Sequence, residues 1–116
     1  MIEPLPRRHF PMVAEIDAAI TAFYGLEPGD LSSDSRSVHI AHPRQLGMWI
    51  ARALTGFSYP TIASKFGRRD HTTAVHAVRK IDALLRRDIV LAGEAAVIIA
   101  TVAAAAAERV GEAVAA

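Results

Sequence analysis

The stretch from Ser58 to Leu85, "SYPTIASKFGRRDHTTAVHAVRKIDALL", restricts this chain more than any other. Two runs with apolar residues every three or four positions are separated by one glycine, and each run follows a residue suited to cap a helix. In the first, Ser58 offers an N-cap hydroxyl, Pro60 tolerates the opening turn, and Ile62, Ala63 and Phe66 precede the break at Gly67. In the second, Asp70 is the N-cap candidate, and Val75, Val78, Ile81 and Leu85 carry an apolar stripe to about residue 86. A short helix, a tight glycine turn and a longer helix make a helix-turn-helix. In that arrangement the first helix crosses a nucleic-acid backbone, and the second enters the major groove by its N-terminal end.

The remaining chain supplies more helices and no strands. From Pro11, the series Val13, Ile16, Ala19/Ile20 and Phe23 predicts a helix closed by a left-handed cap at Gly25. "LEPGDLSSDSRS" reads as a connection with one helical turn near Asp30 and Leu31. A second helix is expected from Pro43 to Gly56, with Leu46, Trp49, Ile50, Ala53 and Leu54 on its apolar face and Arg44, Gln45 and Arg52 away from it. Residues 89–116 are Ala-rich, with Leu91, Ala95, Ile98 and Val102 sharing one face of a closing helix. No alternation of β-branched residues and no Asn-Gly or Asp-Gly hairpin turn marks a sheet. The expected fold is therefore all-α. Residues 1–10 form a flexible lead, residues 11–88 a helical bundle containing the helix-turn-helix, and residues 89–116 an extra helix packing on the bundle or on a second subunit.

Charge divides the chain in the same way. Residues 1–35 carry a net −4 and residues 88–116 a net −3, whereas residues 36–87 hold ten Lys or Arg against Asp70 and Asp82 alone, a net +8. Four of the five histidines, at 39, 42, 71 and 76, fall in that basic third. A basic segment that coincides with a helix-turn-helix points to a polyanionic partner.

The residue types at the start of the second motif helix suit double-stranded DNA. An aspartate accepts from cytosine N4–H, a histidine donates or accepts, and a threonine offers both a hydroxyl and a methyl, which matches the groups the major groove displays. Asp70, His71, Thr72 and Thr73 lie at that helix start, with His76 and Arg79 one turn on. Arg68 and Arg69 precede the helix, where cations oppose its dipole, so phosphate attraction accounts for them better than helix stability does. Each residue also has a purely structural role open to it. Asp70 caps with or without DNA, the threonines fill a first turn, and His76 fits a carbonyl-bonded position.

Residues 13–88 resemble the C-terminal DNA-binding domain of the bacterial replication initiator family DnaA. The likeness rests on "HPRQLGMWIARALTGFSYPTIASKFGRRDHTTAVHAVRKI", above all on the glycine turn followed by Arg-Asp-His-Thr-Thr and the trailing His-Ala-x-Arg-Lys-Ile. The resemblance implies a Trp-repressor-like helical bundle. It implies base contacts from Asp70, His71 and Thr72, with Pro60 near a thymine methyl. It implies phosphate contacts from Arg44, Gln45, Arg52, Ser58, Thr73 and His76, and it places Arg36 in the adjacent minor groove of a DnaA-box-like site. Four departures stand out. Ala74 replaces a larger aliphatic, and Arg68 stands where a second glycine is frequent. Val38 and His42 occupy positions often held by arginine, and Thr61 stands where a glutamate would complete a capping box with Ser58.

Other chemistries lack their residues. The chain has no cysteine, which removes disulfides and thiolate sites and fits a reducing, cytoplasmic, nucleoid-associated setting. No G-x-x-x-x-G-K-[ST] loop occurs in the 116 residues, so no ATPase of that type is expected from them. Convergent acids and nucleophiles are absent from the basic third, and His71 and His76, five apart, point to different helix faces. No catalytic residue, metal site or cofactor is expected. Residues 89–107 mix nine alanines with seven larger aliphatics and Glu94, which argues against a membrane span. The expected function is sequence-specific binding of double-stranded DNA, regulating replication initiation or transcription. The rival is an adaptor that works through contacts with a replication initiator or other replication proteins, with the last helix as a homodimer contact.

Overall fold

The computed structural model describes residues 11–115 as five α-helices and one 3-10 turn, with no strand among the described residues. The expected lead over residues 1–10 lies outside them. Helix α1 spans Val13–Tyr24, and Gly25, at φ 66°, closes it in the left-handed conformation. The 3-10 turn Asp30–Ser32 follows, then α2 at Val38–Leu54 and α3 at Tyr59–Lys65. Helix α4 runs His71–Leu85 and α5 runs Ile89–Ala115.

Helix α2 corrects the sequence reading. It begins at Val38, five residues before Pro43, so the proline sits inside the helix. The amide hydrogens of Ile40 and Ala41 both reach Ser37 O, which establishes the turn before the proline is met. The cost is one missing N–H at position 43, close enough to the start for the helix to survive. Pro43 is itself buried. The buried face also differs from expectation: Leu46 and Ile50 are joined by Gly47, Met48 and Ala51, while Ala53 is exposed.

The core gathers Ile16 and Ile20 of α1, Leu31 of the turn, Leu46, Met48 and Ile50 of α2, Ile62, Phe66 and Ile81, all at 0% exposure. Gly47 makes this convergence possible. A Cβ there would stand 2.9 Å from Phe66 Cε1 and 3.1 Å from Ile20 Cδ1, so α2 needs a bare backbone where α1 and the end of α3 meet it. On α4 the buried line is Ala74, Ala77 and Ile81, with Val75 and Val78 half-buried beside it. The stripe is thus turned from the expected valines toward the alanines, because small side chains let α4 lie close to α2 and α3. Ala74, where the resemblance expects a larger aliphatic, is fully buried.

Helix α5 lies antiparallel to α1. Tyr24 Oη donates to Glu94 Oε2 at 2.6 Å near one end of the pair. Near the other, Arg109 Nε and Nη2 donate to Glu15 at 3.1 and 3.2 Å. Between these links Leu91, Ala95, Ile98, Val102 and Ala106 are buried, the expected face extended by one turn. Helix α5 is also long and apolar enough to cross a membrane, with a mean hydropathy of 2.2 over an 18-residue stretch.

Candidate nucleic-acid interface

The tip of α4 is built by its cap. Asp70 holds an extended conformation, φ −100° and ψ 122°, and its Oδ1 accepts from the Thr72 amide at 2.9 Å. That bond satisfies one of the free N–H groups at the helix start. It also holds the Asp70 carboxyl below its usual range, assisted by the Thr72 hydroxyl and then by His71 and His76. The side chains of Asp70 and His71 remain 66% and 59% exposed, and Thr72 and Thr73 are exposed as well. Capping uses one carboxylate oxygen and leaves the group in solvent. Cap and base contact are therefore compatible roles.

The turn before the tip is fixed by glycine. Gly67 has φ 73°, and a Cβ on it would lie 2.4 Å from Ser32 O, so both conformation and space demand glycine there. Arg68, at the position of the resemblance's second glycine, avoids the left-handed region, since no non-glycine among the described residues has positive φ. Its guanidinium turns back instead of reaching outward. Nε donates to Phe66 O at 3.2 Å and Nη2 donates to Ser33 O.

Arg44, expected as a phosphate contact, is only 5% exposed, and its guanidinium is taken up by backbone carbonyls. Nε donates to Leu31 O at 2.7 Å, Nη2 to Ser33 O at 2.9 Å, and Nη1 and Nη2 both to Ser35 O at 3.1 Å. The carbonyls of this connection lack helical partners and must find donors, which a buried guanidinium supplies as a fan. Burial first, then the adjacent Arg68, holds Arg44 below its ordinary value, and Asp34 partly offsets them. Arg44 and Arg68 share Ser33 O and so pin residues 31–35 onto the turn that precedes α4. Arg36, one residue beyond Ser35, is exposed.

Further along α4, Thr73, His76 and Lys80 line a depression of about 320 Å³ whose other wall includes Arg44, Gln45 and Arg68. Gln45 Oε1 is buried without a hydrogen-bond partner among the described residues. The rim is rich in donors, a suitable lining for a phosphate oxygen. Lys80 was not among the residues singled out from sequence. Its signal was present, because Thr73, His76 and Lys80 fall at i, i+3 and i+7, one face of a helix.

A separate group surrounds the turn between α2 and α3. Arg52 donates to Phe57 O at 2.9 Å and its guanidinium lies 4.3 Å from the Tyr59 ring centroid, which holds an exposed cation in a defined place. Ser58 Oγ accepts from the Thr61 amide at 3.3 Å and donates to Thr61 Oγ1 at 3.0 Å. Thr61 thus answers the cap in place of a glutamate. Pro60 is exposed in the first turn of α3. The candidate residues therefore fall into the tip (Arg69, Asp70, His71, Thr72), the depression (Gln45, Arg68, Thr73, His76), the α2–α3 turn (Arg52, Ser58, Pro60) and Arg36. Arg44 stands behind them as the clamp.

Comparison with known proteins agrees with this geometry. Residues 13–81, more than half the chain, match the family described as the bacterial dnaA protein helix-turn-helix. The chromosomal replication initiator protein DnaA of Caulobacter sp. (strain K31) is 48% identical over 79 residues, covering 68% of this chain and 16% of that protein. The protein of the same name from Sphingopyxis alaskensis is 45% identical over 86 residues, covering 74% and 19%. That from Rhodopseudomonas palustris is 40% identical over 82 residues, covering 71% and 17%. The chain spans less than a fifth of the length of these relatives.

Proposed function

The chain belongs to the bacterial DnaA helix-turn-helix family, and from that premise we propose that it binds double-stranded DNA sequence-specifically at DnaA-box-like sites, with the tip of α4 in the major groove. The observation that carries this reading is the solvent exposure of Asp70, His71, Thr72 and Thr73 at the start of a capped, rigid helix. Asp70, His71 and Thr72 read base edges, Pro60 meets a thymine methyl, and Arg36 enters the neighbouring minor groove. Gln45, Arg52, Ser58, Arg69, Thr73, His76 and Lys80 hold the phosphates. Arg44 and Arg68 act one step back, by fixing the loop that presents Arg36. The activity is regulation of replication initiation or transcription through site occupancy, at the nucleoid in the cytoplasm.

The test is a fluorescent duplex carrying a DnaA-box-like site, titrated beside a scrambled duplex across a salt series. Preference for the box at every salt concentration is expected. Equal affinity for both duplexes would sink the sequence-specific reading. The second reading, an adaptor that contacts replication proteins, is favoured by one observation: α5 lies outside the family match and exposes apolar side chains. Under it, the box preference is absent while a replication initiator is retained on the immobilised chain.

A further inference from the structure

Helix α5 carries two apolar stripes, and among the described residues only one has a partner. Opposite the face buried against α1, Val90, Gly93, Val97, Ala100, Ala104, Ala107, Gly111 and Val114 follow one another at steps of three and four, and all eight are exposed. This is an unbroken heptad seam without a charge in it. Val90 is 67% exposed, Val97 54% and Val114 78%. Ala107, Gly111 and Val114 also help line an apolar groove of about 750 Å³.

Two features say what covers this face. The first is symmetry. Read outward from the centre of the seam, the residues pair as Ala100 with Ala104, Val97 with Ala107, Gly93 with Gly111 and Val90 with Val114, all about the position of Val102. In an isologous two-fold contact residue i meets residue j of the other copy and j meets i, so this face would set like against like, glycine on glycine and valine on valine at its ends. The second is the glycines. In an alanine-rich helix Gly93 and Gly111 weaken the helix relative to alanine, yet none of the described residues lies within 4 Å of where their Cβ atoms would be. No packing among the described residues calls for them. Across a two-fold they face each other and let two backbones approach closely.

We propose that α5 pairs with α5 of a second copy of this chain, antiparallel, along the seam from Val90 to Val114. The contact strip on each copy is about 36 Å long and about 10 Å wide, on the order of 700 Å² for the two copies, which is the size of a weak, concentration-dependent interface. The dimer would hold two DNA-reading tips related by a two-fold axis, a property that does not depend on which sequence they read.

Sedimentation of the 116-residue protein from low micromolar concentration upward tests this, with circular dichroism as the control for folding. A concentration-dependent dimer is expected. Gly93→Leu with Gly111→Leu should weaken self-association by roughly tenfold or more, the loss that accompanies a broken close contact, while helicity is kept or raised and binding to a single-site duplex is unchanged. Ala104→Glu should act likewise. Because the chain has no cysteine, an equimolar mixture of Val90→Cys and Val114→Cys chains should cross-link on oxidation, and neither variant alone should do so. A monomer at every concentration overturns the proposal, as does a dimer indifferent to these substitutions. Cross-linking of Val90→Cys with itself overturns the antiparallel register. Sedimentation of the monomer with phospholipid vesicles, or occupation of the face by the ten residues before Pro11, overturns it too.

Discussion

Arg44 and Asp70 are both charged residues within the family's helix-turn-helix match, and their surroundings give them opposite work. Asp70 is exposed and bonded to its own helix, whereas Arg44 is buried and bonded to a loop. Arg44→Ala should therefore destabilise the fold by about 2–3 kcal/mol, the scale of lost charged hydrogen bonds and orphaned carbonyls, in chemical denaturation. Its effect on DNA should follow from displacing Arg36. Gly67→Ala should cost about 2 kcal/mol or more, because a left-handed conformation and a clash with Ser32 O combine. His71→Ala and Thr72→Ala should leave thermal stability nearly unchanged and reduce discrimination between box and scrambled duplexes by about 1–3 kcal/mol. Sequence gave the residue types for all of these positions. It could not distinguish an arginine aimed at phosphate from one aimed at carbonyls, since spacing reports a helix face and not what lies opposite.

At the scale of elements, caps and glycines were legible because their causes are local. Gly25, Ser58, Gly67 and Asp70 each end or begin a helix where the sequence places them. The start of α2 and the buried line of α4 were not, because both depend on what another helix offers. The Asp70 cap makes a pH prediction. Its carboxyl is held below the ordinary 3.8, so its contribution is complete above that value and is lost as pH falls through the lowered folded value. Melting curves of the wild type should show an acid loss of stability that Asp70→Asn, which keeps a cap acceptor, reduces. Between α1 and α5, Tyr24→Phe should remove the bond to Glu94 and loosen that end of the pair by about 1 kcal/mol, seen as faster amide exchange near residue 94. Burial first, then Glu94, pushes the Tyr24 hydroxyl up, so deprotonation at high pH should have the same effect.

For the whole molecule, the division of charge becomes a division of helices. The basic third holds α2, α3 and α4, while α1 and α5 lie in the acidic flanks. DNA affinity should fall steeply with salt, and Lys80→Ala should weaken all duplexes alike and lower the logarithmic salt slope by about 0.9, as one lost phosphate contact does. By itself the sequence determined the helix-turn-helix, the capped tip and the basic segment, because each follows from neighbours within a few positions of one another. Only the tertiary structure decided that Arg44 and Arg68 clamp a loop, that Lys80 and Gln45 line one depression from two helices, and that one stripe of α5 is buried while its opposite is exposed among the described residues. Those outcomes depend on which backbone carbonyls and which apolar faces meet from distant parts of the chain, and helical periodicity carries no record of such meetings.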